Sequence, residues 1–177
     1  MGRDKALLPH PSGGVWLTAL VDQLLPLGHP VQVLSRHAKH AELFARRPGC
    51  SVLLEPPPWN GPLQALAKVL PSRPGEALLV LPVDMPRLRT DVIQQLIAAW
   101  NRAPELAAVA HDGRRLQPLL AVIPSGPPFR SCLDQQLQRG ELRWMDWLNR
   151  VPHQTVRLPA EALLNANCAA DLAALEG

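Results

Sequence analysis

Four places in this chain carry side chains whose type and position suit chemistry. Asp84 stands in Leu81-Pro82-Val83-Asp84-Met85-Pro86, directly behind the most apolar run of the sequence. A carboxylate placed there can hold Mg²⁺, which favours one or two carboxylates together with water and substrate phosphate oxygens. The plain alternative is that Asp84 caps the proline-containing turn that follows. Asp4-Lys5 lies near the start of the chain. A lysine beside a triphosphate offsets the charge that builds up on phosphates during transfer; the plain alternative is a solvated charge pair. Glu55 follows an apolar run and precedes the proline-rich segment Pro56 to Pro62. It suits the donor edge of a guanine, and it equally suits a loop charge. Asn165-Ala166-Asn167 precedes the last helical stretch, where asparagine ordinarily caps or turns.

Other groupings carry less. His37 and His40 have metal-compatible spacing on one helix, but with no third ligand in sequence they read as a solvated face. Trp144 and Trp147, at the same spacing, read as core. Arg36, behind another apolar run, carries the same ambiguity as Glu55.

The elements that must position these residues alternate along the chain. Helical periodicity predicts helices over Val15 to Leu27, Ala38 to Arg46, Pro62 to Leu70, Thr90 to Arg102, Phe129 to Leu137, Leu142 to Leu148 and Ala169 to Leu175. Pro62 sits where a helix start tolerates proline, because its missing N–H is not needed there. Strands are expected over Val31 to Leu34, Ser51 to Leu54, Ala77 to Val83, Leu106 to Ala110, Leu116 to Ile123 and Gln154 to Leu158. Ala77 to Val83 is apolar without alternation, which predicts a central parallel strand covered on both faces. Asp112-Gly113 is a turn dipeptide joining two strands. The pattern predicts an α/β fold of three layers, a mostly parallel sheet with helices on both faces, in one domain over 1–177. In such folds ligands sit beyond the carboxyl ends of the strands.

Composition narrows the function classes. The chain has 177 residues, 47% of them hydrophobic, enough to bury a core without disulfides or metals. The three cysteines, Cys50, Cys132 and Cys168, have neither disulfide-framework nor zinc spacing, which fits a reducing compartment and a cytoplasmic location. No signal peptide and no membrane-length apolar run is evident. A net charge of +3 suits an anionic small molecule, and only 4% of residues are aromatic, so base-stacking surfaces for nucleic acid are not expected.

Several fragments together resemble the molybdenum cofactor guanylyltransferase family. Gly2-Arg3-Asp4-Lys5-Ala6-Leu7-Leu8 resembles its Gly-x-Asp-Lys-Ala-Leu-Leu motif. Gly61-Pro62-Leu63 resembles its Gly-Pro-Leu helix opening, and Pro82-Val83-Asp84-Met85-Pro86 its Pro-Cys-Asp-Met-Pro. Gln117-Pro118-Leu119 resembles its Gln-Pro-Leu, and Asn165-Ala166-Asn167 its Asn-x-Asn. The five fall in order over nearly the whole chain. The resemblance implies a Rossmann-like nucleotidyltransferase fold in which the terminal phosphate of molybdopterin attacks the α-phosphorus of GTP and pyrophosphate leaves. The attacking group is already anionic, so catalysis is positioning and charge stabilisation.

By the same resemblance, Lys5 and Asp84 are catalytic, Asp84 binds Mg²⁺, and Lys5, Glu55, Gly61 and Asp84 lie on the nucleotide side. Asn165, Asn167 and Arg143 lie on the pterin side. The implied partners are GTP and molybdopterin, with transient contacts to cofactor-biosynthesis proteins, no nucleic acid and no membrane; a monomer is favoured. The family's first strand and its glycine-rich loop Leu-Ala-Gly-Gly-x-x-x-Arg have no counterpart ahead of Asp4-Lys5, so an upstream start is expected to supply them, and the nucleotide half of the site is expected to be impaired without them. Two other readings stay open at this point. One is a relative that transfers a cytidylyl group or handles a sugar phosphate; the other is a truncated, non-catalytic molybdopterin-binding relative.

Overall fold

The computed structural model describes residues 4–10 and 13–166. Gly2, Arg3, Asn167, Cys168 and the expected helix over Ala169 to Leu175 lie outside the described residues. Strands and helices interleave along the described residues, so the chain is α/β. The helices are α1 (Trp16–Leu24), α2 (Ala38–Phe44), α3 (Pro62–Val69), α4 (Thr90–Arg102), α5 (Phe129–Gln138) and α6 (Trp144–Leu148). The strands are β1 (Val31–Ser35), β2 (Cys50–Leu54), β3 (Ala77–Val80), β4 (Ala107–His111), β5 (Leu116–Pro124) and β6 (His153–Arg157). Short 3-10 turns occupy Lys5–Leu7, Leu25–Leu27 and Ala160–Leu163.

Two compact units account for the packing: Met1–Trp59 with Val83–Thr90 and Leu164–Gly177, and Asn60–Pro82 with Asp91–Leu163. In the first unit β1 and β2 pair in parallel from Val31 opposite Cys50 to Ser35 opposite Leu54. A parallel pair needs a crossover, and α2 supplies it. The unit's core gathers Ala6, Leu17, Val21, Val33 and Phe44. Leu17, Val21 and Leu24 recur at helical spacing along α1, so one stripe of that helix is buried. The 3-10 turn after α1 stops at Gly28, which adopts the left-handed φ of 78° that such a stop demands.

The second unit holds a four-stranded mixed sheet in the order β3-β5-β4-β6. β4 runs parallel to β6, and β5 is antiparallel to both β3 and β4. Ala107 to Ala110 of β4 are wholly buried, as a short apolar run in a sheet interior should be. Leu63, Ile123, Phe129, Leu133 and Trp147 pack in the same core. The indole N–H of Trp147 donates to the Phe129 carbonyl at 3.3 Å, so the largest buried side chain leaves no polar atom unpaired.

Two expectations change at β3. The strand ends at Val80, short of the apolar run's end at Val83, in front of Pro82, which has no N–H to give a ladder. Among the described residues its one partner is β5, antiparallel, and its residues are half-buried. The strand covered on both faces is β4. The helices over Pro62, Thr90, Phe129 and Trp144 and the hairpin around Asp112-Gly113 match the periodicities that predict them.

Candidate functional site

The first unit brings Lys5 and Asp84 together. Lys5 opens a 3-10 turn whose cap is Asp4: the Asp4 carboxylate accepts the N–H of Ala6 at 3.1 Å. Ala6 is 5% exposed, so the turn is pinned to the core one residue after Lys5. Asp84 sits on a turn anchored on its far side by Met85 and Leu88, both buried, with the Leu88 N–H bonded to the Met85 carbonyl at 3.1 Å. The two anchors leave Lys5 Nζ 3.8 Å from Asp84 Oδ2, with about a third of each side chain exposed. That distance is an ion pair and not a hydrogen bond. Both heads are thus partly open to solvent.

The N–H of Ala166 donates to the Asp84 carbonyl at 2.9 Å, tying the backbone just after Asn165 to the Asp84 turn. Among the described residues, the buried amide oxygen of Asn165 has no hydrogen-bond partner. Buried acceptors are nearly always satisfied, so an orphan of this kind marks a place where a donor belongs.

Glu55 lies at the end of β2, its N–H bonded to the Ser35 carbonyl at 2.8 Å. Its own carbonyl accepts the indole N–H of Trp59 at 2.9 Å, and the Arg36 guanidinium lies 5.6 Å from that ring's centroid. Gly61 and Arg143 belong to the second unit. Gly61 caps α3 with a φ of 93° and a ψ of 179°, a conformation that side-chain-bearing residues rarely adopt. Arg143 caps α6; its side chain is exposed and its carbonyl accepts the Gln136 amide at 2.9 Å.

Sequence reasoning missed a cluster around Asp4. His40 is not on a solvated face: it is 4% exposed, with Nδ1 2.7 Å from Ser35 Oγ and Nε2 2.8 Å from Asp4 Oδ2. His37 remains half-exposed, with Nε2 3.8 Å from the same carboxylate oxygen. The expected core role of Trp144 and Trp147 holds, with their rings edge-to-face at 5.5 Å. The Gln117-Pro118-Leu119 fragment has a structural job as well. The β4–β5 register jumps between Val109 and Ala110, beside Pro118, and the Gln117 amide donates to Asp112 at 3.0 Å.

No group of three metal-ligating side chains occurs among the described residues. Asp84 offers one hard carboxylate, which suits an ion arriving with a phosphate chain, since Mg²⁺ commonly takes few protein ligands and several substrate or water oxygens. No helix among the described residues is long and apolar enough to cross a membrane.

Residues 1–155, which include Lys5, Glu55, Gly61, Asp84 and Arg143, match the family model of the MobA-like NTP transferase domain. The chain belongs to that family. Among members with curated names, it is 34% identical to a probable molybdenum cofactor guanylyltransferase of Rhodopirellula baltica, over 97% of this chain and 83% of that protein. It is 30% identical to the molybdenum cofactor guanylyltransferase of Ectopseudomonas mendocina, over 98% of this chain and 83% of that one. The MobA-like fold extends to solved structures. Molybdopterin-guanine dinucleotide biosynthesis protein A from Archaeoglobus fulgidus superposes with a TM-score of 0.71 at 18% identity, covering 99% of this chain and 90% of its own. Francisella tularensis 2-C-methyl-D-erythritol 4-phosphate cytidylyltransferase does so with a TM-score of 0.71 at 11% identity, covering 98% and 92%. The architecture is Rossmann-like, and this MobA-like chain is a nucleotidyltransferase of molybdenum cofactor biosynthesis.

Proposed function

We propose that the chain transfers GMP from GTP to the terminal phosphate of molybdenum-bound molybdopterin and releases pyrophosphate, working as one functional domain in the cytoplasm. The observation that carries this reading is the approach of Lys5 Nζ to Asp84 Oδ2 beside the Asn165 segment. A cation and a carboxylate held a few ångströms apart, both partly open to solvent, form a receptor for a phosphate chain and its counter-ion. The named relatives supply the nucleotide and the acceptor.

In this reading an acceptor phosphate oxygen forms a bond to the α-phosphorus while the bond from that phosphorus to the bridging oxygen breaks, and the electron pair leaves with pyrophosphate. The acceptor is anionic, so no side chain has to remove a proton from it. Lys5 neutralises charge on the nucleotide phosphates, and Asp84 holds Mg²⁺, which supplies Lewis-acid neutralisation of the leaving group when bound. The Asn165 amide oxygen, short of a donor, turns to N–H groups on the pterin. Asn167 and Arg143 are proposed to bind the pterin, and Glu55 and Gly61 to bind the nucleotide.

The test is Mg²⁺-dependent pyrophosphate release from GTP in the presence of molybdopterin, run beside CTP. Turnover with GTP supports the reading. Turnover with CTP alone replaces it with a cytidylyltransferase, and molybdopterin binding without turnover replaces it with a binding protein.

A further inference from the structure

We infer that His40 is a positioning residue for the phosphate-binding turn, holding Asp4 and through it Lys5. The inference rests on the proposed role of Lys5 and concerns a residue that role does not require by itself.

The ring of His40 is clamped from one side. Its Nδ1 lies 2.7 Å from Ser35 Oγ, and that hydroxyl oxygen also accepts the His37 N–H at 2.9 Å. Ser35 is the last residue of β1 and is itself buried. The imidazole is thus fixed to the end of β1 and to the start of α2. Its other edge faces Asp4. Nε2 comes to 2.8 Å from Asp4 Oδ2 and is fully buried, yet it makes no aligned hydrogen bond. The carboxylate lies off the direction in which a ring N–H points.

Asp4 divides its two oxygens. Oδ1 accepts the Ala6 N–H and so shapes the turn that Lys5 begins; Oδ2 faces His40. Rotation of this carboxylate cannot occur without changing the cap, and a change in the cap re-aims the lysine. A buried imidazole is costly unless its nitrogens are used. Here one nitrogen anchors the ring and the other meets the carboxylate that orients Lys5.

The test uses the full chain and four variants: His40→Leu, which fills the ring volume without nitrogens; His40→Gln, which returns an N–H donor near the Nε2 position; Asp4→Asn; and the double variant His40→Leu with Asp4→Asn. The readouts are the affinity for inorganic triphosphate with Mg²⁺ by calorimetry, kcat and KM for GTP, and the melting temperature. His40→Leu should weaken triphosphate binding about tenfold and raise KM more than it lowers kcat. His40→Gln should recover most of that affinity. Asp4→Asn should match His40→Leu, and the double variant should be no worse than either, because coupled residues are not additive.

Losses that add, or a His40→Leu variant that lowers the melting temperature while triphosphate affinity and KM stay at wild type, overturn the inference. Failure of His40→Gln to recover any affinity also counts against it. Inorganic triphosphate carries no base and no acceptor, so the cycle is readable even if GTP proves to be the wrong nucleotide. Failure of GTP turnover alone sinks the proposed reaction and leaves the positioning role standing.

Discussion

At 3.8 Å, Lys5 and Asp84 are close enough to attract and too far apart to bond. A partly exposed ion pair of this sort adds at most about 1 kcal/mol to stability. The pair can therefore be changed with little effect on the fold. Lys5→Ala should lower kcat/KM about 100-fold, a typical loss when a charge-stabilising donor is removed, while the melting temperature shifts by only a few degrees. Steady-state kinetics beside a thermal melt checks this; a collapsed melt would mean that the lysine is structural. Asp84→Asn should raise the Mg²⁺ concentration needed for half-maximal rate, and a metal dependence identical to wild type would remove Asp84 from that role. Both residues were legible in the sequence, one through the motif around it and the other through its place behind an apolar run. His40 was not. Its partners Ser35 and Asp4 come from the end of β1 and from the chain start, and no local spacing announces that they converge.

The turn between β4 and β5 shows how one short motif shapes an element. Asp112 accepts the backbone N–H groups of Arg115 and Arg114, each at 2.8 Å, and the Gln117 amide at 3.0 Å. With the Arg115 N–H first, then that of Arg114, these bonds pull its carboxyl from an ordinary value of 3.8 down to about 2. A depressed folded-state pKa gives stability that is present above the ordinary value and lost as pH falls through the folded one. The hairpin should therefore keep its full strength above about pH 4 and lose this contribution by pH 2. Asp112→Asn should flatten that part of the acid unfolding curve; an unchanged curve would show that the turn holds without its charge.

Periodicity located most elements because each helix or strand buries one repeating face. It overran β3, since Leu81 and Val83 continue the apolar run past the point where Pro82 stops the ladder. Strand order was not legible, because pairing depends on which distant segment arrives alongside.

The two units differ in how their sheets are supported. A two-stranded sheet is marginal without other packing, whereas four strands under a common core protect one another. Amide hydrogen exchange should therefore be slowest in β4 and β5 and faster in β1 and β2. Slower exchange in β1 than in β4 would contradict this. Within the second unit, Leu133→Ala should cost about 2–5 kcal/mol, as for other fully buried leucines, and denaturant unfolding measures it.

The tryptophans give the chain an optical handle. Trp16, Trp144 and Trp147 are buried and Trp100 is partly covered, while Trp59 is 54% exposed where the proline-rich loop leaves β2. A dissolved quencher such as iodide meets that indole far more often than the other four. The quenchable share of the emission therefore reports on the segment beginning at Glu55. A nucleotide base settling there would shield Trp59 and shift its emission to the blue, with no label added to the protein.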